Sequence, residues 1–567
     1  MSAFAGSHAM TLDTAPHLVG HWPFDGDFRS RAAAPLASNA TAVRLESRDG
    51  RVAAVFNGID SRIEVADHPA LRLGTGDFTI ALWLHTASSR DGGDNVGDLV
   101  SKFDPDVRCG LNLIVSTHTG VTQTTQSNYR HLQFGIDDGH LDPAWTDCGR
   151  PGAAVKVSAL AAMYGSLYAG TFENGPGRCG HLWRYERDGD WLDMGAAPPG
   201  CNNVGSIAWF DGHLYCATSR YASRGSSLGD PLNTFAGGWV YRLRSEGDWV
   251  DCGRPAVDGA APDDPATSYG SSDQADDTNC LTVFRGRLFA TSHHRRGAYV
   301  YEGGRDWRYV GPDLRVMSFT IHQGMLYALI NGGGVYRYEQ GSDWAYCGEP
   351  PRSTQTYCAV TWQGDLYVGT WPECEVIRYD GGESWTPIGM LGAEREVMAA
   401  ALYNGKCYFG TLPMANVFRM DGDGFTYMGN LDNDPNVYVR RVWSMAVFDG
   451  QLFAGTLPGG HVRRRRAGCM ATCDRTLPSG WRHIAAVREG ATLTLYLDGS
   501  RVAQSTVPEA SGFDLDNDRP LRIGGGIGHV LNGALRDVRI YDRALEEREI
   551  VAAGSEEQGA GSGERGA

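Results

Sequence analysis

The chain has 567 residues and a formal charge of −16, from 51 basic and 67 acidic side chains. That balance excludes the basic surface a nucleic-acid backbone needs, and no run reaches the roughly eighteen apolar residues of a membrane span. With 75 glycines beside 15 Trp and 24 Tyr, the composition also excludes a coiled coil and a disordered chain and points to many short strands joined by tight turns.

Residues 1–16 have neither a basic n-region nor an apolar h-region, so they read as a flexible N-terminus without a secretory signal. Thirteen cysteines is an odd number, and Cys469 and Cys473 lack the spacing of common zinc sites. Structural thiols are expected, in a protein that is cytoplasmic or unconventionally exported.

Residues 17–140 carry Trp22-Pro-Phe-Asp25, then Val55-Phe-Asn-Gly-Ile-Asp60, then the alternating run Phe78-Thr-Ile-Ala-Leu-Trp83. Over residues 141–472 the text changes to an internal repeat, each copy an apolar strand, a one-glycine turn and a second apolar strand. The turn glycines are Gly165, Gly212, Gly286, Gly324, Gly364, Gly405 and Gly450, spaced 47, 74, 38, 40, 41 and 45 residues apart. A third strand rich in Tyr and Arg follows, as in Val335-Tyr-Arg-Tyr338. A fourth closes with aromatic-x-x-x-Gly, as in Trp191/Gly195, Trp249/Gly253, Trp307/Gly311, Trp344/Gly348, Trp385/Gly389 and Phe425/Gly429.

Four strands per forty-odd residues is the pattern of a β-propeller blade, and the blades resemble kelch-like repeats. Seven hairpins are followed by only six closing strands, while Trp145/Gly149 lies upstream with no hairpin of its own. An N-terminal strand completing the last blade closes a ring of seven and removes the sheet edges.

Residues 473–553 return to the first kind of text, with Trp481-Arg-His-Ile-Ala485 and Leu495-Tyr-Leu-Asp-Gly499, and residues 554–567 read as a disordered tail. The two flanks together resemble the laminin-G-like jelly-roll family of concanavalin A-like lectin/glucanase domains, with its motifs in order. The expected fold is all-β: a discontinuous jelly-roll β-sandwich with a seven-bladed β-propeller inserted in one of its loops. Such an insertion needs guest termini that lie close together, which a shared last blade provides.

The resemblance implies a structural Ca²⁺ held by carboxylates such as Asp25, Asp60 and Asp537, since hard oxygen ligands suit that ion. In the propeller, the fourth-to-first and second-to-third connections share one face. That face receives Asp273, Asp277, Glu373, Arg395, Arg440 and Arg441 as candidate ligand-binding residues, with Tyr438 and His294 as catalytic candidates. The expectation is a non-catalytic recognition protein taking a glycan or protein ligand through propeller and lectin-like jelly roll. The alternative is a polysaccharide lyase or glycoside hydrolase working at the channel mouth, where Arg, Tyr, His and carboxylates would converge.

Overall fold

The computed structural model describes residues 17–118, 126–196, 198, 200–221, 223–233, 235, 237–255, 277–292, 297–422 and 424–559. Two antiparallel sheets form the sandwich. The outer sheet runs in the order Arg44–Arg48, Arg51–Asn57, Asn532–Tyr541, Phe78–Thr86, Gly480–Glu489, Thr492–Leu497 and Ser500–Thr506, with Leu18–Trp22 beside Asn532–Tyr541. The inner sheet runs Ser38–Thr41, Arg62–Val65, Leu521–Ile523, Gly97–Asp104, Cys109–His118, Asn128–Asp138 and Cys469–Thr476. Both sheets mix strands from before and after the propeller, so the jelly roll is one discontinuous unit. Strand alternation builds its core: Leu111, Leu113 and Val115 join Leu132, Phe134 and Ile136 against Ile80, Leu82 and Leu84 of the other sheet.

Two segments differ from the sequence reading. Cys469–Thr472, placed there at the end of the propeller, pair with Asn128–Asp138 in the inner sheet. The period of two explains this: Cys469, Ala471 and Cys473 face the sandwich core, while Met470 packs among propeller side chains. Residues 554–559, assigned to the tail, continue the helix Glu547–Gly559, whose Ala, Glu and Gln are good helix formers. None of the thirteen cysteines forms a disulfide, and twelve of them are buried.

The propeller has seven four-stranded antiparallel blades. Blade one comprises Lys156–Met163, Ser166–Phe172, His181–Arg187 and Asp190–Ala196. Blade seven supplies Arg441–Phe448, Gln451–Leu457 and Val462–Arg465, and its fourth strand is Thr146–Asp147, pairing Thr146 with Arg464 and Asp147 with Arg463.

The aromatic of the closing strand has a physical role. In five of the seven blades it is a Trp whose indole N–H reaches back to the carbonyl just before the closing glycine of the preceding blade. Trp191 donates to Cys148 (2.9 Å), Trp307 to Cys252 (2.8 Å), Trp344 to Val310 (2.8 Å), Trp385 to Cys347 (2.8 Å) and Trp145 to Met428 (3.1 Å). The first and last of these bonds weld blade seven to its two neighbours. The closing glycine is required because the next blade presses on it: a Cβ on Gly253, at φ +86°, would lie 2.1 Å from the Arg305 carbonyl oxygen.

The one-glycine turns between first and second strands face the sandwich. Gln126 pairs through its amide with both N and O of Val283 (2.7 and 2.9 Å), and Asn128 does the same with Val447 (2.9 and 2.6 Å). Asn404 donates to the carbonyls of Ile136 and Ala467, and Lys406 meets Asp137 in an ion pair that is buried on both sides. These partners lie along the polar face of the inner sheet, so that face holds the propeller.

Candidate functional site

With one end of the channel against the sandwich, the opposite mouth is the free end. Its rim is built by one position repeated seven times, nine residues before each turn glycine: Lys156, Asn203, Asp277, Arg315, Gln355, Glu396 and Arg441. All seven are polar, although the strands they introduce are apolar. Two residues further on, six of the seven first strands carry a β-bulge at this same position, on Ser158, Gly205, Met317, Tyr357, Met398 and Trp443. A bulge re-aims a side chain, and here Tyr357, Met398 and Trp443 gather in one apolar cluster with Phe172 and Tyr221.

One half of the mouth is closed. The long connection between the second and third strands of blade two brings Tyr221 over Lys156, whose ammonium lies 3.4 Å from that ring and 4.2 Å from the ring of Trp443. Lys156 and Asp277 are both buried. Burial lowers the lysine pKa and raises that of the aspartic acid, and their mutual attraction opposes both shifts. The other half is open, with Arg315, Gln355, Tyr357 and Arg441 half-buried. Arg441 stacks on Trp443 at 4.8 Å and donates from Nη2 to the Gly225 carbonyl at 3.0 Å. Glu396, only 5% exposed, has no partner for Oε1 among the described residues. Burial pushes its carboxyl up to about 8 against the pull of Arg441.

The sequence candidates divide accordingly. Arg440 and Arg441 lie at the mouth, with Arg395 and Glu373 exposed on the adjoining connections, where the Cys374 N–H donates to the Arg395 carbonyl at 3.0 Å. Tyr438 is 68% exposed, outside the channel. Asp277 is enclosed with Lys156. Asp273 and His294 lie outside the described residues. Glu396 stands in the run Glu394-Arg-Glu396 that the sequence already places on this face, whereas the rim residues Lys156, Arg315 and Gln355 and the bulged Tyr357 and Trp443 were not singled out. Their signal was the constant offset from the turn glycine.

The three aspartates expected around calcium are separately engaged. Asp25 is exposed near Arg31 at 3.8 Å, Asp60 accepts from Asn57 at 2.7 Å, and Asp537 accepts from His21 and Arg539 at 2.8 Å each. Asp537 already faces a guanidinium, and no group of three or more His, Cys, Asp and Glu is gathered for a metal among the described residues. The three do not fit a common Ca²⁺ site.

No helix of the described residues is long and apolar enough to cross a membrane. A family described as the concanavalin A-like lectin/glucanases superfamily matches residues 429–551. From Cys469 onward the matched residues lie in the sandwich, and before it they lie in blades six and seven. No curated protein matches the sequence. Among solved structures, the chain is similar to the extracellular domain of a protein described as a hybrid two-component system from B. thetaiotaomicron. That match has 13% identity and a TM-score of 0.40, over 56% of this chain and 39% of that one. It is also similar to a catalytically inactive virginiamycin B lyase from Staphylococcus aureus with quinupristin, at 10% identity and TM-score 0.41, over 57% and 98%. The binding domain of Paraclostridial Mosquitocidal Protein 1 aligns over 95% of this chain and 52% of its own, at 9% identity and TM-score 0.28. The chain thus spans well under two thirds of the first of these structures, and all three likenesses concern fold alone.

Proposed function

We propose that the protein is a non-catalytic recognition protein that binds an anionic glycan at the open half of the channel mouth. The observation that carries this reading is the order of the rim there: Arg315, Gln355, Glu396 and Arg441 on four successive blades. With the Glu396 carboxyl protonated at neutral pH, its proton can be donated, and the two guanidinium groups dominate the local charge. Planar forks of this kind suit a sugar carboxylate, and the Tyr357 ring beside them offers an apolar face to the sugar ring. The kelch-like character of the blades belongs to the same proposal, supported by their repeated aromatic-x-x-x-Gly closing strands.

The test is a glycan array probed with the full chain, followed by calorimetry with an oligogalacturonate. Loss of one charge-assisted contact costs roughly 1.5–3 kcal/mol, so Arg441→Ala should weaken binding about ten- to a hundredfold with little change in the unfolding midpoint. Equal affinity in the variant would refute the site. An unsaturated, ultraviolet-absorbing product released from uronic-acid polysaccharides would refute the non-catalytic part and favour a lyase.

A further inference from the structure

A second concavity lies far from the mouth, where the sandwich meets the turns of blades two and three. It encloses about 420 Å³ and is lined from both sides, by Ser88–Arg90, Tyr129, Arg130 and Thr476–Ser479 of the sandwich and by Trp209–Gly212, Val283 and Gly286 of the propeller. Its floor is apolar: Tyr129, Val283 and Leu477 are buried, and Phe210 is half-buried beside them. Trp209 forms a fixed wall, because one face of its indole stacks on Tyr164 at 5.3 Å and 18°, and Arg475 covers that tyrosine from 4.7 Å.

The polar groups around this floor are of both kinds. Arg130 is 3% exposed and spends its terminal nitrogens on the carbonyls of Ala87 and Gly93 and on Thr86, yet its Nε–H has no acceptor among the described residues. An orphaned buried donor is costly, and here it sits beneath the lining, without surface of its own towards the cavity. At the lip, Arg90 lies across Gly286, where a Cβ would come within 2.4 Å of its side chain. On the opposite side stands the exposed carboxylate of Asp211. Neither forms an ion pair among the described residues.

We propose that this junction is a second binding site, for a neutral saccharide of one or two rings. A pyranose has an apolar face of C–H groups and a perimeter of hydroxyls that both donate and accept. The aromatic floor suits the first, and Arg90 and Asp211 at the lip suit the second. A net charge on the ligand would meet a like charge at Arg90 or at Asp211, and a wholly apolar ligand would use neither of these groups. A volume near 420 Å³ falls in the range of small-molecule sites, which favour domain junctions.

The experiment uses the full chain and a panel of neutral probes: glucose, galactose, mannose, N-acetylglucosamine and their β-1,4-linked disaccharides. Binding is followed by calorimetry and by tryptophan fluorescence. At least one probe should bind and shift the emission, and the shift should vanish in Trp209→Phe. Asp211→Ala and Arg90→Ala, both at exposed positions, should each weaken that binding tenfold or more, with the unfolding midpoint read beside it because Asp211 holds a left-handed φ of 47°, and Ser479→Trp should block it. Arg441→Ala should leave it unchanged, so the result stands or falls separately from the reading of the channel mouth. Absence of binding across the panel, binding indifferent to Asp211→Ala and Arg90→Ala, or preference for a zwitterionic dipeptide over every sugar would overturn the proposal.

Discussion

Glu396 is a glutamic acid whose surroundings offer its carboxylate little to replace water. Its folded pKa of about 8 exceeds the value of about 4.3 for an unfolded glutamate. The native state therefore holds the proton longer than the unfolded state does. The stability linked to this group is intact below about pH 4 and is lost as pH rises through 8. Glu396→Gln should match the parent in urea denaturation at pH 4.5 and exceed it at pH 9, by an amount on the order of a few kcal/mol. An identical difference at both pH values would show that the carboxyl is solvated. For an anionic ligand at the mouth, affinity should fall across the same alkaline window. The cysteines yield a second prediction at this scale. With no disulfide in the fold, all thirteen should react with a thiol reagent in denaturant without reductant, and protected pairs would reveal disulfides.

At the scale of the element, the closing strand explains why the repeat was legible. The aromatic-x-x-x-Gly spacing survives because the aromatic and the glycine are the two halves of one inter-blade contact. Trp385 donates to the Cys347 carbonyl at 2.8 Å, whereas the indole N–H of Trp249 has no partner among the described residues and the Gly247 N–H donates to the Met194 carbonyl instead. Trp385→Phe should therefore cost about 1 kcal/mol for its bond, and Trp249→Phe less; equal losses in chemical denaturation would mean that the ring packing alone matters. The rim was harder to read for a related reason. A polar residue nine positions before a turn glycine has no meaning until the bulge is known to turn its neighbours inward, and bulges leave no mark in residue type. Arg441 and Glu396 were placed on the binding face by the connections they close, while Lys156 and Gln355 looked like the start of ordinary strands.

At the scale of the whole molecule, the order of the two folds was legible but their contact was not. Asn112, Asn128 and Asp137 read as the solvent side of a half-buried sheet, and only the assembled chain shows them meeting the propeller. Histidines are caught in the same junction. Burial holds His118 down to about 4, His322 to about 4 and His529 to about 3. His118 meets Ser127 and the Ala400 carbonyl, His322 meets Thr361, and His529 meets Asn95. An unfolded histidine titrates near 6.5, so as pH falls below that value the unfolded chain takes up protons that the native junction refuses. Stability should be whole above about pH 6.5 and decline from there towards 4. His529→Asn should flatten that decline relative to the parent between pH 7 and 5. A parallel loss in both proteins would place the acid sensitivity elsewhere, for example with His131, which burial holds down to about 3; buried Asp98, pushed up to about 7, acts in the opposite direction.

The crossing between the two folds also imposes an order on synthesis. The strand Asn128–Asp138 leaves the ribosome long before its partner Cys469–Thr476, with which it pairs through Ile136 and Cys469. At roughly 5–20 residues per second, the first half of the sandwich waits for something near half a minute with its apolar face uncovered. During that interval Thr146–Asp147 also waits, because the blade it completes is the last to be made. The nascent chain thus carries two unfilled vacancies at once, and arrival of blade seven fills the first just before Cys469–Thr476 begins to fill the second. A chaperone that shields exposed strands would find its longest-lived target in residues 17–138 of a ribosome-held chain.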